Sequence, residues 1–112
     1  LEFAQYIDEF DSPWLQGYFD IGNVVRFGYP QDWIRTVGKR IRRVHVKDFI
    51  RKGYKWCNLP YEGDVDWPEV RAALAEIGYT GWLTEEFRGG DQAWLKECAR
   101  RMKLFSRGAA TV

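Results

Sequence analysis

Residues 42–49 have the sequence RRVHVKDF and contain the single histidine of the chain, His45. Valines stand on both sides of this histidine, and β-branched residues favour extended backbone. The stretch therefore predicts a β-strand, which we place over residues 42–50. A Lys-Asp pair follows the second valine. An imidazole among apolar strand residues requires a partner, either in the core or at a functional site.

Helical and strand patterns alternate along the chain. Apolar residues recur at helical spacing in some segments, and the segments between them favour strands. Alternation at this spacing is typical of βαβ units with parallel strands and right-handed crossovers. We therefore predict one α/β domain over residues 1–112. The predicted helices cover residues 2–10, 28–41, 66–79 and 89–105, and the predicted strands cover residues 17–21, 42–50 and 80–87.

The predicted helix ends carry sequence signals. Asp66 is expected to cap the third helix, with Glu69 completing a capping box, and Gly78 is expected to end it. Asp91 is expected to cap the last helix, which Gly108 ends. Residues 51–65 form a predicted loop whose length is often functional in compact domains.

Composition and charge exclude several classes of protein. Seventeen basic residues nearly balance sixteen acidic ones, which removes the electrostatic basis for binding nucleic acid. No apolar run approaches the roughly 20 residues of a membrane-spanning helix. No charged segment followed by an apolar one opens the chain, as a secretory signal would. The chain begins without methionine, which predicts a fragment or a processed piece.

The two cysteines, Cys57 and Cys98, are far apart in sequence and form no C-x-x-C pair. Reduced thiols are the simplest interpretation, and they indicate a cytoplasmic protein. We expect a loop thiol at Cys57 and a buried helical residue at Cys98.

Each predicted strand has an ionisable residue at or near its end: Asp20, His45 and Glu86. The carboxyl ends of parallel strands converge on one rim, and that rim holds the active site in such folds. Carboxylate oxygens and imidazole nitrogens are also ligands of divalent metals, and this donor set suits manganese, zinc, iron, cobalt or magnesium.

Each of these residues also has an ordinary structural interpretation. His45 alone would more often be a hydrogen-bonded core residue, and Asp20 alone could cap the following turn. Glu86 alone could pair with Arg88 or with Lys47. However, ionisable residues stand at three successive strand ends. A separate structural explanation for each of the three is less convincing than one shared site.

Four ordered motifs carry a resemblance to a known family. The chain from about residue 11 to residue 87 resembles the C-terminal half of the xylose isomerase-like TIM barrels, a superfamily that includes sugar-phosphate isomerases and epimerases. The resemblance implies half of a (β/α)8 barrel, with three parallel strands and about four helices. The motifs are FDIGN (19–23), VHVKD (44–48), EGDVDW (62–67) and GYTGWLTEE (78–86).

The resemblance also implies roles for individual residues. Asp20 and His45 match metal ligands that follow barrel strand six and lie on strand seven. Glu86 matches the strand-eight glutamate, which binds metal and acts as the catalytic acid or base. We choose Glu86 over Glu85 because strand alternation places it on the same face as Thr84, and because the family pattern has its glutamate second in such a pair.

Substrate contacts are implied by resemblance at four further positions. Asn23 stands where many ketose epimerases have a substrate-binding histidine, and Arg51 is a candidate for the arginine that contacts substrate oxygens. Lys47 and Asp48 follow the family pattern H-x-K-D, with a salt bridge or a loop anchor as the alternative role. Residues 62–66 match a loop over the rim, which we interpret as structural.

The implied activity is isomerisation or epimerisation of a sugar or sugar phosphate. A divalent ion, most simply Mn²⁺ with Zn²⁺, Co²⁺ or Mg²⁺ as alternatives, would stabilise an enediolate while Glu86 moves the proton next to the carbonyl. In the family, a second glutamate returns the proton on the opposite face of the substrate, and the resemblance places it on an earlier strand that is not in this chain. We therefore expect the isolated chain to show little activity. The endonuclease IV branch of the same barrel binds several zinc ions through more histidines and contacts DNA with basic loops. The single histidine and the near-zero net charge of this chain argue against membership in that branch.

Half a barrel would leave sheet edges and apolar surface uncovered. We therefore expect either a homo-oligomer or an association with the missing N-terminal half of the barrel. The alternative function is a non-catalytic sugar-binding or interaction half-barrel that self-associates.

Overall fold

The structure, a computed structural model, describes residues 2–112. The fold consists of five α-helices, a sheet of three parallel strands and a separate two-stranded hairpin. The helices are α1 (Glu2–Glu9), α2 (Ile21–Val25), α3 (Pro30–Val37), α4 (Trp67–Glu76) and α5 (Gln92–Ser106), and the strands are β1 (Gly17–Asp20), β2 (Ile41–Val46), β3 (Phe49–Ile50), β4 (Lys55–Trp56) and β5 (Leu83–Glu85).

The main sheet has the order β1-β2-β5, with both pairs parallel. Asp20 lies opposite His45 in the first pair, and His45 lies opposite Thr84 in the second. The predicted α/β alternation with parallel strands is confirmed. Within residues 2–112, β1 and β5 each pair on one side only, so both outer edges of the sheet are open.

One face of the sheet packs against the helices. Val44 and Val46 of the central strand are fully buried there, and Ile34 of α3 and Val70 of α4 are equally buried. The opposite face is exposed, as the 51% exposure of Tyr18 shows. Parallel sheets normally have both faces covered, so the uncovered face is what distinguishes this partial barrel from a closed one.

The strand predicted over residues 42–50 is shorter in the structure. It ends at Val46, and Phe49–Ile50 forms the separate strand β3, which pairs antiparallel with β4 inside the predicted loop 51–65. The interruption falls at Asp48, whose carboxylate accepts hydrogen bonds from the adjacent backbone N–H of Phe49 at 2.8 Å and from the N–H groups of Gly63 and Val65, which lie farther along the chain. Such side-chain bonds compete with the strand ladder.

A short helix, α2, follows β1 directly, in a segment for which the sequence predicts no helix. Asp20 is the N-cap of α2, and its Oδ1 accepts a hydrogen bond from the backbone N–H of Asn23 at 2.8 Å. The predicted caps Asp66 and Asp91 are confirmed, since their carboxylates accept from the N–H groups of Glu69 and Trp94.

Within residues 2–112, no helix is both long and apolar enough to cross a membrane. Cys57 and Cys98 are both free thiols, and both are buried. Cys98 is buried in α5, as the sequence predicts. Cys57 lies in a loop, also as predicted, but its side chain is buried as well.

Within residues 2–112, Asp48 is the one charged side chain that the fold buries completely. Its carboxylate accepts hydrogen bonds from the N–H groups of Phe49 and Gly63, both at 2.8 Å, and from that of Val65 at 3.3 Å. The bonds tie the end of β2 to the segment that leads into α4. Position 63 requires glycine, because a Cβ there would lie 2.6 Å from the Phe49 carbonyl oxygen.

We predict that Asp48→Asn lowers the free energy of unfolding by about 1–3 kcal/mol, the cost of a buried group left without its partner. The new amide would point its NH₂ group at one of the backbone N–H groups that now donate to the carboxylate. Urea unfolding followed by tryptophan fluorescence measures the change. Glu9→Gln, at an exposed position of α1, is the matched control and should change stability by less than about 0.5 kcal/mol. Equal stabilities of the two variants would contradict the anchoring role of Asp48.

Candidate active site at the carboxyl ends of the strands

The three predicted ligands come together at the carboxyl end of the sheet. Asp20 and His45 are direct neighbours in the β1–β2 register. Glu86 lies one residue beyond β5, and its backbone N–H donates to the Val46 carbonyl at 3.0 Å, so the strand pairing continues through it. The residues occupy three adjacent strand ends, as the sequence predicts.

The side chains converge on the exposed face of the sheet. His45 Nδ1 is 3.9 Å from Asp20 Oδ2 and 3.7 Å from Glu86 Oε2. One possible ligand atom from each residue lies within 4.8 Å of the others. The side chain of Asp20 is 14% exposed and that of Glu86 is 47% exposed, so the site runs from the sheet surface into solvent.

This geometry suits a divalent cation of the transition-metal kind. Two atoms bound to one ion at about 2.1 Å can be at most about 4.2 Å apart. The two separations from His45 already meet that limit, and no separation within the cluster exceeds 4.8 Å. Two carboxylates and one imidazole form a mixed oxygen and nitrogen donor set, which suits manganese, zinc, iron or cobalt.

The two carboxyl groups of the site differ in acidity. Burial raises the pKa of Asp20 above its usual range, and the N–H of Asn23 opposes this effect only in part. The ammonium of Lys47, 3.0 Å from Glu86 Oε2, lowers the pKa of Glu86. Of the two groups, Asp20 therefore holds a proton more readily, and Glu86 stays ionised.

Lys47 lies within the site, as predicted, and it takes the salt-bridge role. Its ammonium pairs with Glu86 and lies 4.3 Å from the centre of the Trp56 ring. Of the two partners that the sequence suggested for Glu86, the structure therefore shows Lys47. Asn23 contacts the site through its backbone, since its N–H donates a hydrogen bond to the Asp20 carboxylate.

Two predicted substrate-binding residues, Asp48 and Arg51, make hydrogen bonds to the protein's own backbone. Asp48 is fully buried and its carboxylate is bound to backbone N–H groups, so the loop-anchor alternative describes it. The guanidinium of Arg51 donates to the carbonyl oxygens of Val25 at 2.7 Å and Gly28 at 2.5 Å. It braces the segment after α2, because two of its N–H donors bind backbone carbonyl oxygens there.

Other residues near the site were not predicted. The Tyr18 ring lies 4.1 Å from the imidazole of His45, centre to centre. Arg26 donates to the Tyr54 hydroxyl at 3.0 Å and lies 5.5 Å from the centre of the Trp56 ring, which fixes the β3–β4 hairpin against α2. Alternation along β1 could have placed Tyr18 beside the site, but the hairpin was hidden within a predicted loop.

Comparison with known proteins extends these observations. The model of the family described as xylose isomerase-like TIM barrel matches residues 1–104. The crystal structure of D-psicose 3-epimerase in the presence of D-fructose superposes with a TM-score of 0.70 at 22% sequence identity. The superposition covers 93% of this chain and 41% of the epimerase chain. No curated protein matches the sequence.

The superposition shows a shared fold, and the chain spans less than half the length of the epimerase. The predicted half-barrel architecture, with three parallel strands, agrees with that coverage. Because the family model covers nearly the whole sequence, the chain belongs to the xylose isomerase-like TIM barrel family.

Proposed function

We propose that this chain carries the C-terminal part of the active site of a metal-dependent sugar isomerase or epimerase. The observation that supports this most directly is the convergence of Asp20, His45 and Glu86 on three adjacent strand ends. The structural likeness to an epimerase agrees with it. The substrate class is a hydroxy-carbonyl sugar, and the reaction moves a proton at the carbon beside the carbonyl.

Asp20, His45 and Glu86 are the residues that would hold the ion, for which Mn²⁺ is the first choice. A divalent ion held there would supply Lewis-acid stabilisation of the negative charge that develops on substrate oxygens. Asp20 can serve without unfolding α2, because Oδ1 caps the helix while Oδ2 faces the site. His45 is held in place between Tyr18 and the two carboxylates.

Glu86 is the residue that we propose as the general acid or base. Lys47 keeps its carboxylate ionised, which is the form that accepts a proton. Glu86 is also the most exposed of the three ligands, so a substrate can approach it from the open face of the sheet. Proton transfer by a placed side chain typically contributes roughly 10²–10⁴-fold to the rate.

The opposite face of the substrate needs a second acid or base. Among residues 2–112, the cluster contains only the two carboxylates already named. We propose that the second group comes from the part of a barrel that this chain lacks, as its 41% coverage of the epimerase suggests. The same missing part would cover the exposed face of the sheet.

A second candidate is a non-catalytic half-barrel that associates with another copy of itself. Exposed aromatic side chains favour it, since Tyr18 on the exposed face of the sheet is 51% exposed and Trp82, just before β5, is 72% exposed. Metal binding distinguishes the candidates, because an interaction surface has no need of an ion held by Asp20, His45 and Glu86.

We predict that the chain binds Mn²⁺ and that Asp20→Ala, His45→Ala and Glu86→Ala each weaken binding by at least about 10–100-fold. Substituting residues that only hydrogen-bond to metal ligands typically already weakens metal affinity by about 10–100-fold. Electron paramagnetic resonance of free Mn²⁺ during titration measures the affinity.

Glu85→Ala is the matched control, because Glu85 is the adjacent glutamate and its carboxylate accepts from the backbone N–H of Phe87 rather than facing the cluster. It should retain the affinity of the unaltered chain. Equal effects at Glu85 and Glu86, or no Mn²⁺ binding by any form, would favour the interaction half-barrel.

We also predict that the chain on its own shows little turnover of ketoses, because one of its two proton-transfer groups is absent. Proton NMR in D₂O, which follows deuterium entry at the carbon beside the carbonyl, measures this. In a longer protein that completes the barrel, Glu86→Gln should slow exchange by roughly 10²–10⁴-fold. Turnover by the isolated chain at ordinary enzyme rates would overturn the half-site interpretation.

A further inference from the structure

The ammonium group of Lys47 lies at the metal-ligand cluster, which consists of Asp20, His45 and Glu86. Lys47 Nζ donates a hydrogen bond to Glu86 Oε2 at 3.0 Å. The same oxygen is 3.7 Å from His45 Nδ1. Glu86 Oε2 therefore faces both the ammonium and the imidazole that would bind a metal ion, so the two cations are directed to one atom.

The main chain of Lys47 is held close to this oxygen by helix α2. A Cβ added at Gly22, in the first turn of α2, would lie 2.8 Å from the Lys47 carbonyl carbon and 2.8 Å from the Lys47 Cβ. Glycine permits this close approach of the two segments. The Lys47 side chain is only 23% exposed, so the protein covers most of its surface.

The ammonium is also held from the side of the β3–β4 hairpin. It lies 4.3 Å from the centre of the Trp56 ring, which is a cation–π distance. The Trp56 ring packs edge to face against the Phe49 ring, with centres 4.9 Å apart, and lies 5.5 Å from the guanidinium of Arg26. These contacts keep the positive charge beside Glu86 rather than in solvent.

An ion bound to Glu86 Oε2 would lie close to this charge. With an ion-to-oxygen distance of about 2.1 Å, the ion would be no more than about 5 Å from the ammonium. Salt screens such a pair only weakly, because the Debye length is about 8 Å at physiological ionic strength. The ammonium must therefore either move away from the oxygen or remain there and repel the ion.

We infer that Lys47 is a built-in competitor of the metal ion, because its ammonium and the ion share Glu86 Oε2. In this role Lys47 lowers the affinity of the cluster for divalent ions. The inference rests on the proposed function, since it concerns the ion that the cluster would hold.

The competition has a use in the proposed reaction. A divalent ion and the ammonium together carry one positive charge more than the two carboxylates of Asp20 and Glu86 can balance. A site with this excess favours the negative charge that develops on the substrate over the neutral sugar. Lys47 thus lowers metal affinity and in exchange raises the preference of the loaded site for the reacting form of the substrate.

Mn²⁺ titrations of Lys47→Met and Lys47→Gln, followed by electron paramagnetic resonance of the free ion, test the inference. Both substitutions remove the charge, and methionine retains an apolar stem beside Trp56. We expect both variants to bind Mn²⁺ at least about tenfold more tightly than the unaltered chain. A gain in affinity separates competition from a structural role, because lost packing would weaken a metal site.

Two variants serve as matched controls. Lys47→Arg retains the positive charge at the same position and should keep the affinity of the unaltered chain. Lys52→Gln removes a positive charge from an exposed position in the turn of the β3–β4 hairpin and should also leave the affinity unchanged. Circular dichroism checks that each variant is folded, and if one neutral variant at position 47 unfolds, the other decides the outcome.

Unchanged or weaker Mn²⁺ binding by the folded neutral variants would overturn the inference. An equal gain in Lys52→Gln would overturn it as well, because the net charge of the chain would then be the cause. In both cases the metal site would remain, so the proposed function would survive. Absence of Mn²⁺ binding in every form would reject the metal site and the competition together, whereas binding by the neutral variants alone would support both.

Discussion

The hydrogen-bonded register of β2 between β1 and β5 is the constraint on which the site depends. It sets Asp20 opposite His45 and His45 opposite Thr84, and the pairing of Glu86 with the Val46 carbonyl brings the glutamate to the same end. A shift of one residue in either pair would move a ligand to the other face of the sheet. The buried valines of β2 oppose such a shift, because it would expose them.

Most of the fold could be predicted from local signals. The caps at Asp66 and Asp91 and the apolar periodicity of the helices are properties of neighbouring residues, and they were correct. The residues of the metal-ligand cluster were also predictable, since parallel strands must bring their carboxyl ends together. The α2 helix was missed because five residues are too few to show a helical period.

The structure adds most to the sequence-based predictions where distant segments decide the conformation. The strand proposed through residue 50 ends early because Asp48 binds N–H groups of residues 63 and 65, which lie far along the chain. Arg51 is directed toward carbonyl oxygens of another segment, and no property of its own neighbours indicates that. The role of a charged residue in a loop depends on tertiary partners, which periodicity does not reveal.

Asp20 divides its carboxylate between two tasks, with Oδ1 on the first turn of α2 and Oδ2 toward His45. The conformation of the helix and the orientation of the ligand are therefore coupled. Ordering α2 preorganises the carboxylate, and a group bound at Oδ2 in turn limits fraying of the helix. A substitution that affects only the packing of α2 would consequently reach the site through this one side chain, without touching any residue that contacts substrate.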